Sequence, residues 1–111
     1  MMGVQVIGFD KLEAKLTKNM DLSAVRTVVR KNGSEMQKRA QKNAPVDTGH
    51  LMRSIDLEIT DGGKTAEVEP TADYGAYVEL GTRFMNAQPY LKPAFEEQKG
   101  KFKSDMKKLV R

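Results

Sequence analysis

The sequence predicts an α+β domain in which a small antiparallel β-sheet packs against a long central helix and a C-terminal helix. Two stretches carry apolar residues at helical spacing, one ending near residue 43 and one running to the C-terminus. Between them, residues 55–70 alternate apolar and polar side chains on both sides of an Asp-Gly-Gly turn, which is typical of a β-hairpin. A chain of 111 residues supports one modest core, so we expect a single domain over residues 1–111.

The N-terminal part predicts a short strand followed by a short helix. Val4 and Val6 alternate at period two, which indicates a strand over residues 4–9. An Asp-x-x-Glu pattern at residues 10–13 resembles a capping box. Apolar residues then recur at four-residue spacing, namely Leu12, Leu16 and Met20. We therefore expect a helix over residues 11–20.

The central helix carries one conspicuous irregularity. Asp21 or Ser23 can cap its start, because either side chain can accept a hydrogen bond from a free backbone amide. Its apolar stripe comprises Leu22, Val25, Val29, Met36 and Ala40, and Val28 lies beside it. Gly33 falls in this stripe, where glycine costs about 1 kcal/mol relative to alanine. It therefore indicates a kink, the close approach of another backbone, or a break.

Residues 44–55 form the corner between the central helix and the hairpin. Pro45 disfavours a helical residue before it, so the helix should end near residue 43. Asp47 or Thr48 can cap a new helical turn, and Gly49 allows a tight turn. His50 is the single histidine, and a structural role is favoured for it over a catalytic one. The residues that we expect to set this connection are Pro45, Thr48, Gly49, Leu51 and Arg53.

The predicted hairpin has one apolar face and one acidic face. Ile55, Leu57 and Ile59 share the side that should be buried, and the turn residues 61–63 tolerate positive φ. The opposite side carries four carboxylates, Asp56, Glu58, Glu67 and Glu69. Such a cluster could bind a cation or a basic partner, but charged residues also block unwanted pairing at strand edges, and we favour that role.

The C-terminal third predicts a helical turn, a loop and the final helix. Helical spacing over residues 74–80 ends at Gly81, a usual residue just past a helix end. Residues 82–91 lack a regular pattern, and a loop of that length in a small domain is more often functional than idle. Pro93 can occupy the first turn of the last helix. The face of that helix carries Phe95, Gln98, Phe102, Met106 and Leu109.

Composition argues against an enzyme. The chain has no cysteine, which excludes disulfides and zinc–cysteine sites and suits a reducing compartment. One histidine excludes a histidine-pair metal site within a chain, and no catalytic or phosphate-binding motif appears. We expect no catalytic residues, no metal and no cofactor. No apolar run is long enough for a membrane span or a secretory signal, so the expected location is cytoplasmic.

The charge balance allows nucleic acid as a partner without requiring it. The formal net charge is +4, and the central helix contributes several of the basic residues. These are Arg26, Arg30, Lys31, Lys38, Arg39 and Lys42. A helix with one apolar stripe needs a polar face in any case, and the interleaved aromatic and basic residues of single-strand binders are missing.

Arg53 and Glu79 suggest a structural contact. Each lies in a motif-like segment, and the hairpin between them would bring the two segments together. A guanidinium can hold a carboxylate through two hydrogen bonds. We therefore expect Arg53 to bridge to Glu79 or to backbone carbonyls of residues 74–82.

Three blocks of the chain together resemble a known family. The blocks are Ala44-Pro45-Val46-Asp47-Thr48-Gly49 followed by Leu51, Arg53, Ser54 and Ile55; Tyr77-Val78-Glu79-Leu80-Gly81-Thr82; and Met85 with Ala87-Gln88-Pro89-Tyr90-Leu91 and Pro93-Ala94. Their order and spacing are similar to those of the tail-component family of long-tailed bacteriophages typified by gene ten of phage Hong Kong 97. With the flanking helices, the resemblance covers nearly the whole chain.

The resemblance implies a structural virion assembly protein that is not an enzyme. It implies a tail-completion or head-tail joining (neck) component that assembles in the host cytoplasm and stays in the virion. Its partners would be other tail or neck proteins and further copies of itself in a ring close to the DNA channel. The alternative is a small basic nucleic-acid-binding or regulatory protein of phage origin.

The loop after Gly81 is the expected contact surface for that role. Exposed phenylalanine and methionine beside an arginine suit the core of a protein interface. The candidate interface residues are Arg83, Phe84, Met85 and Asn86, and the candidate structural residues beside the loop are Glu79 and Gly81.

Overall fold

The computed structural model describes residues 11–14, 20–45 and 49–109 and confirms the α+β class. Its elements are β1 (Lys11–Glu13), α1 (Leu22–Asn43), α2 (His50–Ser54), β2 (Ile55–Thr60), β3 (Thr65–Pro70), α3 (Gly75–Leu80) and α4 (Leu91–Lys108). The strands form an antiparallel sheet in the order β1-β3-β2, so β3 is the central strand. The sheet packs against the two long helices, α1 and α4.

The hairpin has the predicted bounds. Ile55 pairs with Pro70 at one end of the β2–β3 ladder and Thr60 pairs with Thr65 at the other. The turn between them spans Asp61–Gly63. All three of its residues have positive φ, at 54°, 64° and 94°, which only glycine and short polar residues adopt easily. The turn residues therefore set the register of the hairpin.

Helix α1 begins and ends as expected. Of the two candidate caps the structure selects Asp21, whose Oδ1 accepts a hydrogen bond from the Ser23 amide at 2.9 Å. The helix ends at Asn43, and Ala44 is extended, as the residue before a proline should be. The buried stripe contains the predicted Val25, Val29, Met36 and Ala40. Leu22 is wrong as a member of it, because its side chain is 38% exposed at the first turn.

Gly33 marks a close approach of the sheet to α1. The helix is continuous across it, so neither the break nor the kink is needed to explain it. A Cβ atom at Gly33 would lie 2.8 Å from Ala66 Cβ and 3.0 Å from Leu57 Cδ1. The absence of a side chain lets the hairpin pack directly on the helix.

A buried polar seam joins α1 to α4 beside the apolar core. Gln98 Nε2 donates to Asn32 Oδ1 at 2.6 Å, and Arg39 Nε donates to Gln98 Oε1 at 2.8 Å. Asn32 and Gln98 are fully buried, so their hydrogen bonds are needed to offset the cost of leaving water. Glu35 accepts from Lys101 Nζ at 2.6 Å, and this bond is the main cause that lowers the pKa of Glu35. The seam fixes the relative position of the two helices.

The predicted helix over residues 11–20 is wrong where the structure describes it. Lys11–Glu13 forms strand β1, whose central Leu12 is buried and pairs with Ala66, and the Ala14 amide donates to Lys64 O. The open edge of β3 needs a hydrogen-bonding partner, and this tertiary requirement outweighs the helical spacing of Leu12. The predicted strand over residues 4–9, its neighbour Asp10, and Leu16 lie outside the described residues.

Gly33→Ala tests the close packing of the hairpin on α1. Helix propensity favours alanine by about 1 kcal/mol, but the crowded Cβ should cost more, so we expect a net loss of roughly 1–2 kcal/mol in the free energy of unfolding. Chemical denaturation measures it. The matched control is Gly100→Ala in α4, where nothing lies within 4 Å of the new Cβ and stability should rise. Stabilisation by both substitutions would contradict the packing described here.

Candidate functional site: a protruding loop on a buried anchor

The Glu79 carboxylate lies at the N-terminus of α4 and satisfies its free amides. Glu79 Oε1 accepts from the amides of Tyr90 and Leu91 at 2.9 and 2.8 Å, and Oε2 accepts from the amide of Lys92 at 3.0 Å. The next residue, Pro93, has no amide hydrogen. A negative charge at a helix N-terminus is also favourable for the helix dipole. Glu79 is only 4% exposed, so it provides a buried cap for the free amides at the start of α4.

Tyr90 ties both ends of α3 to the start of α4. Its amide donates to Glu79 near the end of α3, and its hydroxyl donates to Gly75 O at the beginning of α3, at 3.0 Å. Its own carbonyl accepts from Asn43 Nδ2 at 3.4 Å, at the last residue of α1. Because Tyr90 is fully buried, these bonds form inside the domain. The segment from α3 to α4 is thus held at both of its ends.

Residues 82–89 protrude from this anchor as an exposed loop. The tip is a tight turn in which the amide of Thr82 donates to Met85 O at 2.8 Å and the amide of Met85 donates to Thr82 O at 3.2 Å. Further along, the amide of Gln88 donates to Val78 O at 2.8 Å. The loop therefore has a defined shape although its side chains face solvent.

Large apolar side chains cluster along α3 and the tip of the loop. Phe84 is 85% exposed, and Arg83 lies over its ring with 4.8 Å between the guanidinium carbon and the ring centroid. Tyr77 and Leu80 on α3 are about half exposed, at 50% and 46%. We name the following set the loop surface: Tyr74, Tyr77, Leu80, Arg83, Phe84, Met85 and Asn86. Exposed apolar groups that lie together are a common feature of protein contact sites.

Gly81 is required where α3 meets the loop. Its φ is +79°, and a Cβ atom there would lie 2.7 Å from the amide nitrogen of Ala87. The positive φ and the short distance both favour glycine over any residue with a side chain. The predicted structural role of Gly81 therefore has a physical reason.

The expected pair of Arg53 and Glu79 does not form. Glu79 is occupied by the three α4 amides, and the hydrogen bonds and ion pairs of the described residues do not connect it to Arg53. Arg53 instead lies over Gly49, where a Cβ atom would meet its guanidinium nitrogen at 2.8 Å. The sequence predicted a charged partner for the Glu79 carboxylate. The buried N-terminus of α4 instead offers it three backbone amides as hydrogen-bond donors.

The other residues of the corner pack as structural elements. Gly49 precedes α2 with φ at +71°, and Leu51 is buried in the core. Pro45 follows the end of α1, while Asp47 and Thr48 lie outside the described residues. His50 Nδ1 is 3.0 Å from the Tyr74 hydroxyl, and the two rings stack at 5.8 Å. This contact links α2 to the start of α3.

The four hairpin carboxylates share the sheet face that turns away from α1. Asp56 is directly opposite Glu69, and Glu58 is directly opposite Glu67. Burial, followed by the charges of Glu67 and Glu58, raises the pKa of Glu69. Among the described residues, no group of three or more acidic or histidine side chains could hold a metal ion.

The capping role of Glu79 left one signal in the sequence. Serine, threonine, aspartate and asparagine are missing from the residues just before Leu91, so α4 has no local cap. A helix that lacks a local cap needs a distant one, and Glu79 is an acidic residue in a segment of otherwise uncharged neighbours. The sequence does not show which groups Glu79 binds, because every residue except proline has a backbone amide.

An apolar depression, separate from the loop surface, lies between β1 and α4. Its floor contains Leu12, Phe95, Phe102 and Met106, and lysines surround it. Residues 1–10 and 15–19, which adjoin β1 in the chain, are outside the described part. The depression therefore does not define a free surface.

Comparison with known proteins identifies one family. The family model described as "Bacteriophage HK97-gp10, putative tail-component" matches residues 10–81, which is more than half of the chain. The match includes Glu79 and Gly81, and the exposed loop follows it. Curated proteins and solved structures give no significant match. Within the described residues, no helix has the length and apolar character to cross a membrane.

Glu79→Ala should destabilise the domain by about 2–3 kcal/mol, because three amides at a buried helix terminus lose their acceptor. Glu79→Gln keeps one acceptor oxygen and should cost less. Urea denaturation measures both changes. Arg53→Ala is the control, and its effect should add to that of Glu79→Ala without coupling. A measured coupling between the two substitutions would indicate a direct contact between Arg53 and Glu79.

Proposed function

The chain belongs to the bacteriophage HK97-gp10 tail-component family, and from this membership we propose that it completes the tail or joins the tail to the head. Family membership itself gives the chain a structural role in a phage tail. The observation that supports the finer proposal is the loop surface on its buried anchor. A head-tail joining or tail-completion protein acts by contact with other subunits, and the loop surface offers such a contact.

The anchor makes the loop surface suitable for tight contact. Exposed aromatic and methionine side chains beside an arginine have the composition of an interface core. The hydrogen bonds of Glu79 and Tyr90 hold the base of the loop before any partner arrives. A contact surface that is already ordered loses less conformational entropy on binding.

A ring of identical subunits is the proposed assembly. Cyclic assemblies with head-to-tail contacts need two different patches on each subunit for contacts with its neighbours in the ring. The loop surface supplies a patch for a neighbouring tail or neck protein. A ring in the tail or neck surrounds the path of the DNA. The subunit is made in the host cytoplasm and remains in the tail or neck of the virion.

A basic nucleic-acid-binding protein is the second candidate. It draws support from a shallow depression on the exposed side of α1, lined by Arg26, Arg30 and Lys31 with three hydroxyl side chains. Electrostatic binding to DNA would weaken steeply as salt rises. A salt titration with duplex DNA distinguishes the two candidates, since the tail role requires no such slope.

Substitution at the tip of the loop should abolish tail joining and spare the fold. Phe84→Ser with Met85→Ser removes two exposed apolar side chains, so the midpoint of thermal unfolding should change by less than about 2 °C. Complementation of a phage that lacks the gene, with electron microscopy of the particles, should show separate heads and tails. Deletion of residues 83–87 should act in the same way.

Leu22→Ser is the matched control for that experiment. Leu22 is an exposed apolar residue on α1, outside the loop surface. Particles made with it should be normal. Normal particles from the Phe84 and Met85 double variant would overturn the proposed role of the loop.

A further inference from the structure

The outer face of the sheet carries negative charge that the described residues compensate only in part. Four carboxylates occupy two directly opposed pairs on β2 and β3. Within the described residues one ion pair reaches them, between Lys11 Nζ and Glu67 Oε2 at 3.8 Å. Like charges directly opposite each other destabilise a sheet. The fold therefore keeps these residues at a cost.

Edge protection explains only two of the four carboxylates. Charges on an edge strand prevent pairing with another sheet, and that role fits Asp56 and Glu58 on β2. Glu67 and Glu69, however, lie on the central strand β3, which has a hydrogen-bonded neighbour on each side. Burial, followed by the charges of Glu67 and Glu58, raises the pKa of Glu69, so the surroundings of this carboxylate disfavour its charged form.

The exposed side of α1 has the opposite character. Arg30, Ser34 and Lys38 follow one another at four-residue spacing, and Lys31 lies beside them. Among the described residues, Arg30, Lys31 and Lys38 have no carboxylate within 4.0 Å. Arg26, Arg30 and Lys31 line a depression together with Ser23, Thr27 and Ser34. Its cationic and hydroxyl groups suit a carboxylate.

We propose that the acidic sheet face of one copy docks on the basic face of α1 of a second copy. The occupant is a second copy because the same chain supplies both members of a complementary pair of charged faces. A contact of this kind brings the carboxylates of the sheet face and the basic side chains of α1 together, so that each face compensates the other. Nucleic acid would compensate α1 alone and leave the sheet face as it is.

The two faces lie on different sides of the domain, so the contact is head-to-tail. The carboxylates turn away from α1, and the basic residues lie on α1 away from its buried stripe. Each copy that docks through its sheet leaves its own α1 free for the next copy. Such a heterologous contact closes into a ring when the rotation permits. The inference deepens the proposed assembly role and rests on it for its place in the virion.

Charge exchange between two variants tests the contact. The sheet variant combines Asp56→Lys, Glu58→Lys and Glu69→Lys, and the helix variant combines Arg30→Glu, Lys31→Glu and Lys38→Glu. Sedimentation velocity of the full chain at about 20 mM salt keeps electrostatic contacts effective over about 20 Å. Circular dichroism confirms that each variant is folded.

The wild-type chain should associate, and each variant alone should be monomeric because its two faces then carry the same sign. An equimolar mixture should associate again, since both kinds of contact between unlike variants are complementary. Association of the wild type should weaken as salt rises. A wild type that stays monomeric up to about 1 mM, or a mixture that fails to associate, overturns the proposal.

Glu69→Gln separates an assembly role from a structural one. Removing the half-buried charge should raise the midpoint of denaturation of the monomer and weaken self-association about threefold. Improved stability with unchanged association would contradict the proposal. Loss of DNA binding in the helix variant, without any self-association of the wild type, would assign α1 to nucleic acid instead.

These outcomes differ from a failure of the proposed function. Self-association is measured in the isolated protein, whereas tail joining is measured in particles. Association with normal particles from the loop variants would leave the contact valid and remove the joining role from the loop. Defective particles from the loop variants, together with a wild type that stays monomeric, would support the joining role of the loop and rule out the contact between copies.

Discussion

The three hydrogen bonds that the Glu79 carboxylate accepts at the start of α4 are the constraint on which this structure depends. They connect α3 to the first turn of the C-terminal helix, and Tyr90 extends the connection to the beginning of α3 and to the end of α1. Because the site is buried, the carboxylate and the amides each need the other as a partner. The same bonds hold the base of the exposed loop and complete the core beneath it.

Local chemistry made much of the fold predictable. The Asp-Gly-Gly turn required positive φ, and the alternation around it set the register of the hairpin from Ile55 to Pro70. Asp21 and Pro45 marked the two ends of α1 through effects that act over a few residues. The exposed position of Phe84 and Met85 followed from a stretch without helical or strand pattern. In each case the residue type and its neighbours carried the information.

The errors occurred where distant parts of the chain decided the structure. Leu12 has neighbours at helical spacing, yet it lies in a strand because β3 offers it a ladder of hydrogen bonds. Pro93 lies in the first turn of α4 as predicted, but the start at Leu91 had no local signal, because the distant Glu79 satisfies the amides that a local cap would otherwise serve. Arg53 and Glu79 looked like a charged pair, although backbone amides compete better for a buried carboxylate. Gly33 signalled a close approach without showing which element came near.

The separation of the loop tip from its anchor bears on how this fold diversifies. The bonds that hold the segment use Gly75, Glu79 and Tyr90, and none of them involves the side chains of residues 83–86. Substitutions at the tip change the exposed surface and leave the helix cap untouched, so stability places little restriction on the tip sequence. If the tip binds a partner as proposed, partner specificity and folding are under separate selection, and the tip can change with each new partner while the domain beneath it stays the same.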